Sequence, residues 1–559
     1  MVRMKTILVA INAKYEHESL AAWYLKAACR KSGLDLTVLQ HSINDSVQKI
    51  WTAILDEEPD VACFSCYIWN RILVQNLIAD LKKVRPDTVV VVGGPEVCYD
   101  EAAADFKAYG ADYVIRGEGE SRLPRLLLQL EGKAGSGEAS WQDEGREAED
   151  FVSPFIPEYL ERVRDRIAYI ESSRGCPYNC SYCLSSIDRG LRCFPLEEVY
   201  QGIDALVGAG ARVIKFIDRS FNVHRHALEI WEYIRKFSPE TITFHFEVNP
   251  DRLSDRQMEA LAAMPPGLMQ IEAGIQSTNL ETLKAISRSM DVDRALENLK
   301  KIMAWGNIHV HTDLIAGLPF EDMDSFKESF NAVYAVRAHH LQLGFLKLLH
   351  GTRIRREAEK HQYRFRSYPP YEVLSNRYLT AKDILTLKGI EEVLDRFYNS
   401  GRLNLTLAYA ETLFPSAFDF YHKLNCWLKE RNLLFMPLAA IRLYELLRDF
   451  SLDAGADPQL LESLLGLDYV CSLRTTAIPE TLLMAGEKQT GLAVLEPWEF
   501  ADREWIDSVG KNRFRKRVIG LEAFCPVIKK GNIEYKRSRV VVDTQKTDPV
   551  TGRATMTVA

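Results

Sequence analysis

The sequence predicts an α/β protein in three parts. An N-terminal doubly wound five-stranded parallel sheet comes first, then a partial (β/α)6 barrel, then a mostly helical C-terminal region ending in a β-hairpin. Three observations predict this. Residues 1 to 130 alternate short β-branched runs with amphipathic helical stretches. From about residue 165 to 350 the alternation resumes with a longer period, in six repeats. Three cysteines spaced C-x3-C-x2-C directly follow the first strand of that second series, and barrels carry their functional groups at such strand ends.

In the first part, strands are expected at Thr6–Ile11, Leu36–Gln40, Asp60–Tyr67, Thr88–Val92 and Asp112–Ile115. Ligands of open α/β sheets bind outside the carboxyl ends of the strands. The segments Asn12-Ala13-Lys14-Tyr15, Ser65-Cys66-Tyr67-Ile68-Trp69, Gly93-Gly94-Pro95-Glu96 and Gly117-Glu118-Gly119-Glu120 should therefore share one rim. Their small and turn-forming residues leave backbone open to a large planar ligand. Cys63 and Cys66 fall at opposite faces of one strand, which argues against joint metal binding.

Domains are expected at 1–131, 162–395 and 396–559, with a Gly-, Ser- and Glu-rich linker at 132–153. The second series places strands at Ile167–Glu171, Val213–Asp218, Ile242–Val248, Leu268–Ile275, His309–Ile315 and Leu341–Leu348. Beyond it, aromatic stripes such as Phe418, Phe420, Tyr421 and Trp427 read as helix packing. A hairpin is expected around Lys530-Gly531-Asn532.

Composition narrows the function classes. The 559 residues are 47% apolar, enough for several packed cores. A net charge of −7 provides no global field for nucleic acid or an anionic membrane. The N-terminal apolar run, Ile7 to Ile11, is too short for a signal sequence or a span, so a cytoplasmic protein without a membrane partner is expected. Eleven cysteines, an odd number spread along the chain, suit a reducing compartment. Locally, Lys511 to Arg539 holds ten basic residues against two acidic ones.

The chemistry concentrates in Arg174-Gly175-Cys176-Pro177-Tyr178-Asn179-Cys180-Ser181-Tyr182-Cys183. Cys176, Cys180 and Cys183 on one tight loop can bind three irons of a cubane cluster and leave the fourth open to a ligand. A zinc site would want a second pair of ligands, and none stands nearby. The plainer alternative is three buried structural cysteines.

This loop resembles the signature of the radical S-adenosylmethionine (SAM) enzymes. The Val-Gly-Gly-Pro at 92–95 and the Arg-Gly-Glu-Gly-Glu at 116–120 resemble the cobalamin-binding domain that precedes many of their barrels, notably in the class B methyltransferases. No Asp-x-His-x-x-Gly follows the first strand to offer cobalt a histidine. A flavodoxin-like domain that binds a nucleotide, or nothing, is the alternative for this part.

The resemblance implies a [4Fe–4S] cluster, SAM and cobalamin as cofactors, and site residues with them. Asn12, Ala13, Tyr15, Ser65, Cys66, Tyr67, Gly93, Gly94, Pro95, Glu96, Gly117 and Glu118 would hold cobalamin. Tyr182 would lie against the SAM adenine. Asp218 would accept from the methionyl amine or else cap the next helix. Glu247 would hold ribose hydroxyls, with Gln276 offering a donor and an acceptor to the same ligand. Arg288 would clamp the SAM carboxylate or else form a surface ion pair. Asp313 is the polar candidate on the adenine and ribose wall. His309 and His311 share one face of that strand, as barrel-lining or satisfied core groups.

Taken together, the expected function is reductive cleavage of SAM to a 5′-deoxyadenosyl radical and, with cobalamin, methylation of an unactivated carbon of an unknown substrate. A flavodoxin- or ferredoxin-type reductant is the expected partner. Ring formation or oxidation with cobalamin in another role is the first alternative. The second is a non-catalytic RNA-binding protein that uses the basic C-terminal hairpin, against which stands the commoner solvated charged hairpin.

Overall fold

The computed structural model describes residues 4–133, 152–186, 190–482, 492–495, 517–529 and 532–558. Most of the expected linker and the hairpin turn at 530–531 lie outside the described residues. The chain forms two compact units. One comprises Met1–Ala260, Lys284–Ser289 and Leu346–Asn376, the other Leu261–Leu283, Met290–Phe345 and Arg377–Ala559.

The first unit opens with five parallel strands: β1 (Thr6–Asn12), β2 (Thr37–Ser42), β3 (Val61–Ser65), β4 (Val89–Gly93) and β5 (Tyr113–Ile115). Their order, β2-β1-β3-β4-β5, is that of a doubly wound sheet. Every residue of β1 and β3 is buried, because helices cover both faces. Ile7, Val9, Ile11 and Phe64 pack on one face against Arg71–Val84, while Leu8, Ala10 and Val91 pack on the other against Leu20–Lys31 and Arg122–Leu130. Cys63 joins one core and Cys66 the opposite one, as their spacing requires.

The second series supplies β6 (Ile167–Ile170), the antiparallel pair β7 (Ser173–Cys176) and β8 (Gly190–Cys193), then β9 (Val213–Phe216), β10 (Thr243–Val248), β11 (Met269–Gln276), β12 (His309–Ala316) and β13 (His340–Phe345). Six of them form one sheet in the order β13-β12-β11-β10-β9-β6. The cysteine segment is thus no plain loop: its first cysteine ends a strand that pairs with β8 in the register Cys176↔Gly190. The last barrel strand stops at Phe345, short of the expected Leu348, and Lys347 instead bridges to Glu372.

In the second unit β11 and β12 alternate strictly between buried and half-exposed residues. Met269, Ile271, Ala273 and Ile275 are core, leaving Gln270, Glu272, Gly274 and Gln276 on the other face. Helices such as Ala381–Phe397, opened by a Thr380/Asp383 capping box, and Pro458–Leu473 follow.

Two short strands of the first unit, β14 (Arg364–Phe365) and β15 (Val373–Ser375), pair antiparallel. The C-terminal hairpin expected from sequence is the centre of a larger sheet: β16 (Ala493–Leu495), β17 (Val518–Lys529), β18 (Asn532–Thr547) and β19 (Ala554–Val558), in that order. Asp468 ties this sheet to the helices. Its carboxylate accepts from Thr406 N and Oγ at 2.8 Å each and from Arg553 Nη2 at 2.7 Å. No helix among the described residues is long and apolar enough to cross a membrane.

Candidate active site

Cys176 and Cys180 are buried and Cys183 half-buried, and all eleven cysteines are free thiols. Burial raises the Cys176 thiol, opposed by a hydrogen bond from the Tyr178 backbone. Gly175 sits at φ +91°, a conformation that glycine enters freely and that turns the chain into the loop. Among the described residues no three His, Cys, Asp or Glu side chains converge as ligands of a single ion.

Asp218 turns inward. It is fully buried, accepting from Ser172 N at 3.0 Å, from Ser172 Oγ at 2.8 Å and from the Ser173 hydroxyl. All three donors precede the first cysteine, so this carboxylate shapes the entry to the cysteine loop. Burial raises its pKa, and the serine bonds pull the other way. No side chain caps the short turn Phe221–Val223 that follows, so the expected cap gives way to these serine bonds.

Arg288 and Tyr182 lie together, with Nη1 of the arginine 3.4 Å from the tyrosine hydroxyl and 3.8 Å from Cys180 Sγ. The guanidinium thus sits on the sulfur loop. Ser181 N donates to Ile286 O at 2.8 Å and Arg353 Nη2 to Ser287 Oγ at 2.6 Å, fixing the segment that carries Arg288. Burial holds the Tyr182 phenol neutral, well above its usual range.

In the second unit Gln276 and Asp313 meet over Gly274, whose register partner is Asp313. The Gln276 amide lies where a Cβ of residue 274 would stand, 2.3 Å from Nε2. Gln276 itself has φ +72°. His309 and His311 contact each other, Nε2 of His311 to Nδ1 of His309 at 3.0 Å, and their rings stack with His339 and His340.

A cavity of about 1510 Å³ opens in the first unit at the carboxyl ends of β1, β3, β4 and β5. Drug-sized ligands occupy roughly 300–1,000 Å³, so this space suits a very large ligand or more than one. Asn12, Ala13, Ser65, Tyr67, Gly93, Gly94, Pro95, Gly117 and Glu118 line it as expected. Glu247 lines it too, 3.6 Å from Arg219 Nη1.

Three expected residues do not. Tyr15 is 66% exposed under the Arg166 guanidinium. Cys66 turns into the sheet core, because the strand alternation points it away from the rim. Glu96 is buried against Arg71 behind the loop.

The sequence reading missed a group that also lines the cavity, built on Arg174. Its guanidinium meets Glu171 at 2.5 Å, Glu120 at 2.7 Å and Glu118 at 3.3 Å, and lies 4.9 Å over the Tyr24 ring. Burial raises the Glu171 carboxyl, and Arg174 opposes the shift. The available signal was the pairing of Arg-Gly-Cys at 174–176 with the acidic run at 118–120. The stacked rings of Tyr67 and Trp69, 4.5 Å apart, complete the wall.

Comparison with known proteins agrees with this layout. Residues 6–127 match a B12 binding domain, 170–333 the radical SAM superfamily, and 359–509 a protein family of unknown function, DUF4080. The chain is a B12-binding radical SAM protein with a C-terminal extension of that third family.

Among curated proteins it is 29% identical over 336 residues to 2-(S-pantetheinyl)-carbapenam-3-carboxylate methyltransferase of Streptantibioticus cattleyicolor, covering 53% of this chain and 47% of that protein. It is 28% identical over 350 residues to the cobalamin-dependent radical SAM methyltransferase TokK of Streptomyces tokunonensis, covering 56% and 50%. The chain thus spans about half the length of these relatives. In fold it resembles the radical SAM methyltransferase TsrM of Kitasatospora setae, at TM-score 0.53 and 17% identity over 66% of this chain and 80% of that one. It also resembles the cobalamin-dependent radical SAM enzyme OxsB, at 0.55 and 15% over 84% and 80%.

These domains imply a [4Fe–4S] cluster, SAM and cobalamin, and the residues present fit them. The loop offers three thiols and no fourth, as a cluster with one open iron needs. The rim offers Gly93, Gly94 and Gly117 to a large planar ligand in a cavity of matching size.

Proposed function

We propose that this protein is a cobalamin-dependent radical SAM methyltransferase acting on an unactivated carbon. The observation that carries the reading is the shared cavity. Its wall takes Gly93, Gly94 and Gly117 from the B12-binding domain, and Glu171, Lys215 and Glu247 from strand ends of the radical SAM domain. When bound, the cluster and SAM supply a carbon radical source and cobalamin supplies a methyl carrier.

The chain's own residues position and insulate. Asp218 and Arg288 hold the sulfur loop, Arg174 ties that loop to Glu118 and Glu120, and the aromatic wall keeps water from a reactive intermediate. Relatives named as methyltransferases support the choice of reaction. Free thiols support a reducing, cytoplasmic setting, with an external flavodoxin- or ferredoxin-type electron donor.

The test is anaerobic reconstitution with iron, sulfide and hydroxocobalamin, followed by assay with methyl-labelled SAM against candidate substrates suggested by genomic neighbours. Label in the product, with equal amounts of 5′-deoxyadenosine and S-adenosylhomocysteine, supports the reading. Product without label overturns it in favour of ring formation or oxidation. RNA binding without SAM cleavage would dismiss catalysis altogether.

A further inference from the structure

The family of unknown function begins at residue 359, yet its first stretch folds into the same compact unit as the five-stranded sheet. There Tyr371, 2% exposed, donates its hydroxyl to Glu96 Oε2 at 3.1 Å. Glu96 is 3% exposed and receives a second bond to the same oxygen from Arg71 Nη1 at 3.3 Å. That nitrogen also donates to the Glu96 carbonyl at 3.0 Å, while Arg71 Nη2 reaches Asp105 at 2.7 Å.

The peptide that follows β4 is thereby gripped from behind, with Gly94, Pro95, Cys98 and Tyr99 on its other side lining the cavity. Gly94 has φ +113°, and its backbone is pressed so close to Cys66 that an added Cβ would meet Cys66 O at 2.4 Å.

The contact is close along its length. Leu348 N donates to Tyr371 O at 3.0 Å, and Lys347 bridges to Glu372. The His350 ring stands edge-on to Tyr371 at 5.0 Å and beside Tyr99 at 6.2 Å. Gly351 approaches Tyr99 so nearly that a Cβ there would lie 2.0 Å from the ring. Packing alone would use the ring of Tyr371. Its hydroxyl, spent on a buried carboxylate, sets the orientation of Glu96 and so the path of the loop.

We propose that Tyr371 is a positioning residue for cobalamin: acting through Glu96 and Arg71, it holds the loop 93–99 in the shape that receives the corrinoid. The opening stretch of the C-terminal family, 359–376, thus completes a site whose other walls belong to the B12-binding domain. The inference rests on the reading that this cavity takes cobalamin.

The test is a visible-absorbance titration of the full-length protein with hydroxocobalamin. Tyr371→Phe keeps the ring and loses one bond to a charged acceptor, so cobalamin should bind about tenfold more weakly, with iron content and thermal midpoint near wild type. Glu96→Leu, which removes the acceptor at similar size, should weaken binding in the same direction. Because both changes break one contact, the double variant should lose less than the product of the two single effects.

Binding by Tyr371→Phe within twofold of wild type overturns the inference, as do independent effects of the two substitutions or a parallel loss of iron. If the wild-type protein itself takes up no cobalamin, the reading of the cavity falls and this inference falls with it.

Discussion

Glu321 tests whether a buried carboxyl braces the far strand ends in its neutral form. It is wholly buried after β12, and its Oε1 accepts from Ser277 Oγ at 2.6 Å and Ser329 Oγ at 2.9 Å. Ser277 directly follows Gln276, so this carboxyl ties the end of β11 to the segment after β12. Burial pushes its pKa from 4.5 up to about 7, against the two serine bonds.

Because the folded state favours the proton, the contribution to stability is complete below about pH 4.5 and is lost as pH rises through about 7. The loss is about 1.4 kcal/mol per pH unit, about 3 kcal/mol across the window. Glu321→Gln cannot titrate, and its amide oxygen still accepts both hydroxyls. Denaturant unfolding of the two proteins from pH 4.5 to 8 should show the variant gaining about 3 kcal/mol on the wild type over that range. An infrared difference spectrum at pH 6 should contain one protonated carboxyl band assigned to Glu321. A stability gap that stays level with pH, together with the absence of that band, would refute the argument.

Other consequences concern the first unit. Asp218→Ala strands the Ser172 amide and two serine hydroxyls in the core, which should cost roughly 3 kcal/mol in denaturant unfolding and lower iron content after reconstitution. Gly94→Ala forces a side chain onto Cys66 O at an unfavourable φ; a cost of about 1–3 kcal/mol and a loss of corrinoid uptake are expected, measured by unfolding and by visible absorbance. Replacing Cys176, Cys180 and Cys183 by alanine should abolish the iron–sulfur absorbance and 5′-deoxyadenosine formation while corrinoid uptake persists. A variant that still binds iron in that loop would contradict the assignment of its ligands.

The elements most legible in the sequence were those specified by period and spacing. Continuous apolar runs marked β1 and β3 because both faces are covered, and the cysteine spacing located the sulfur loop directly. Side-chain direction was harder to read. Glu96 and Asp218 occupy the expected strand ends, but a carboxylate there can face the ligand or turn inward. Only Arg71, Tyr371 and the two serines, distant in sequence, decide which. Cys66 fell on the wrong side of the rim for a simpler reason, since the strand alternation already applied to Cys63 extends to it. The four-stranded C-terminal sheet was half seen, because β16 and β19 are too short to carry a pattern of their own.

Those corrections share one physical cause. A carboxylate at a strand end next to a cavity either stays solvated and meets a ligand, or pays for burial by collecting donors. Asp218 has gathered three, Glu96 bonds from two side chains, and Glu321 two hydroxyls and a raised pKa, so each is committed to backbone geometry before any ligand arrives. Arg174 extends the logic across the cavity wall. Three carboxylates surround Arg174 and only Glu118 also meets a second cation, Arg192, so without Arg174 the excess of negative charge would drive the loops at 118–120 and 171 apart. Two cations on the hairpin that carries Cys176, Arg174 and Arg192, therefore set the distance between the sulfur loop and the end of β5. In a reaction whose bond-breaking belongs to cofactors, that distance is what the polypeptide must control.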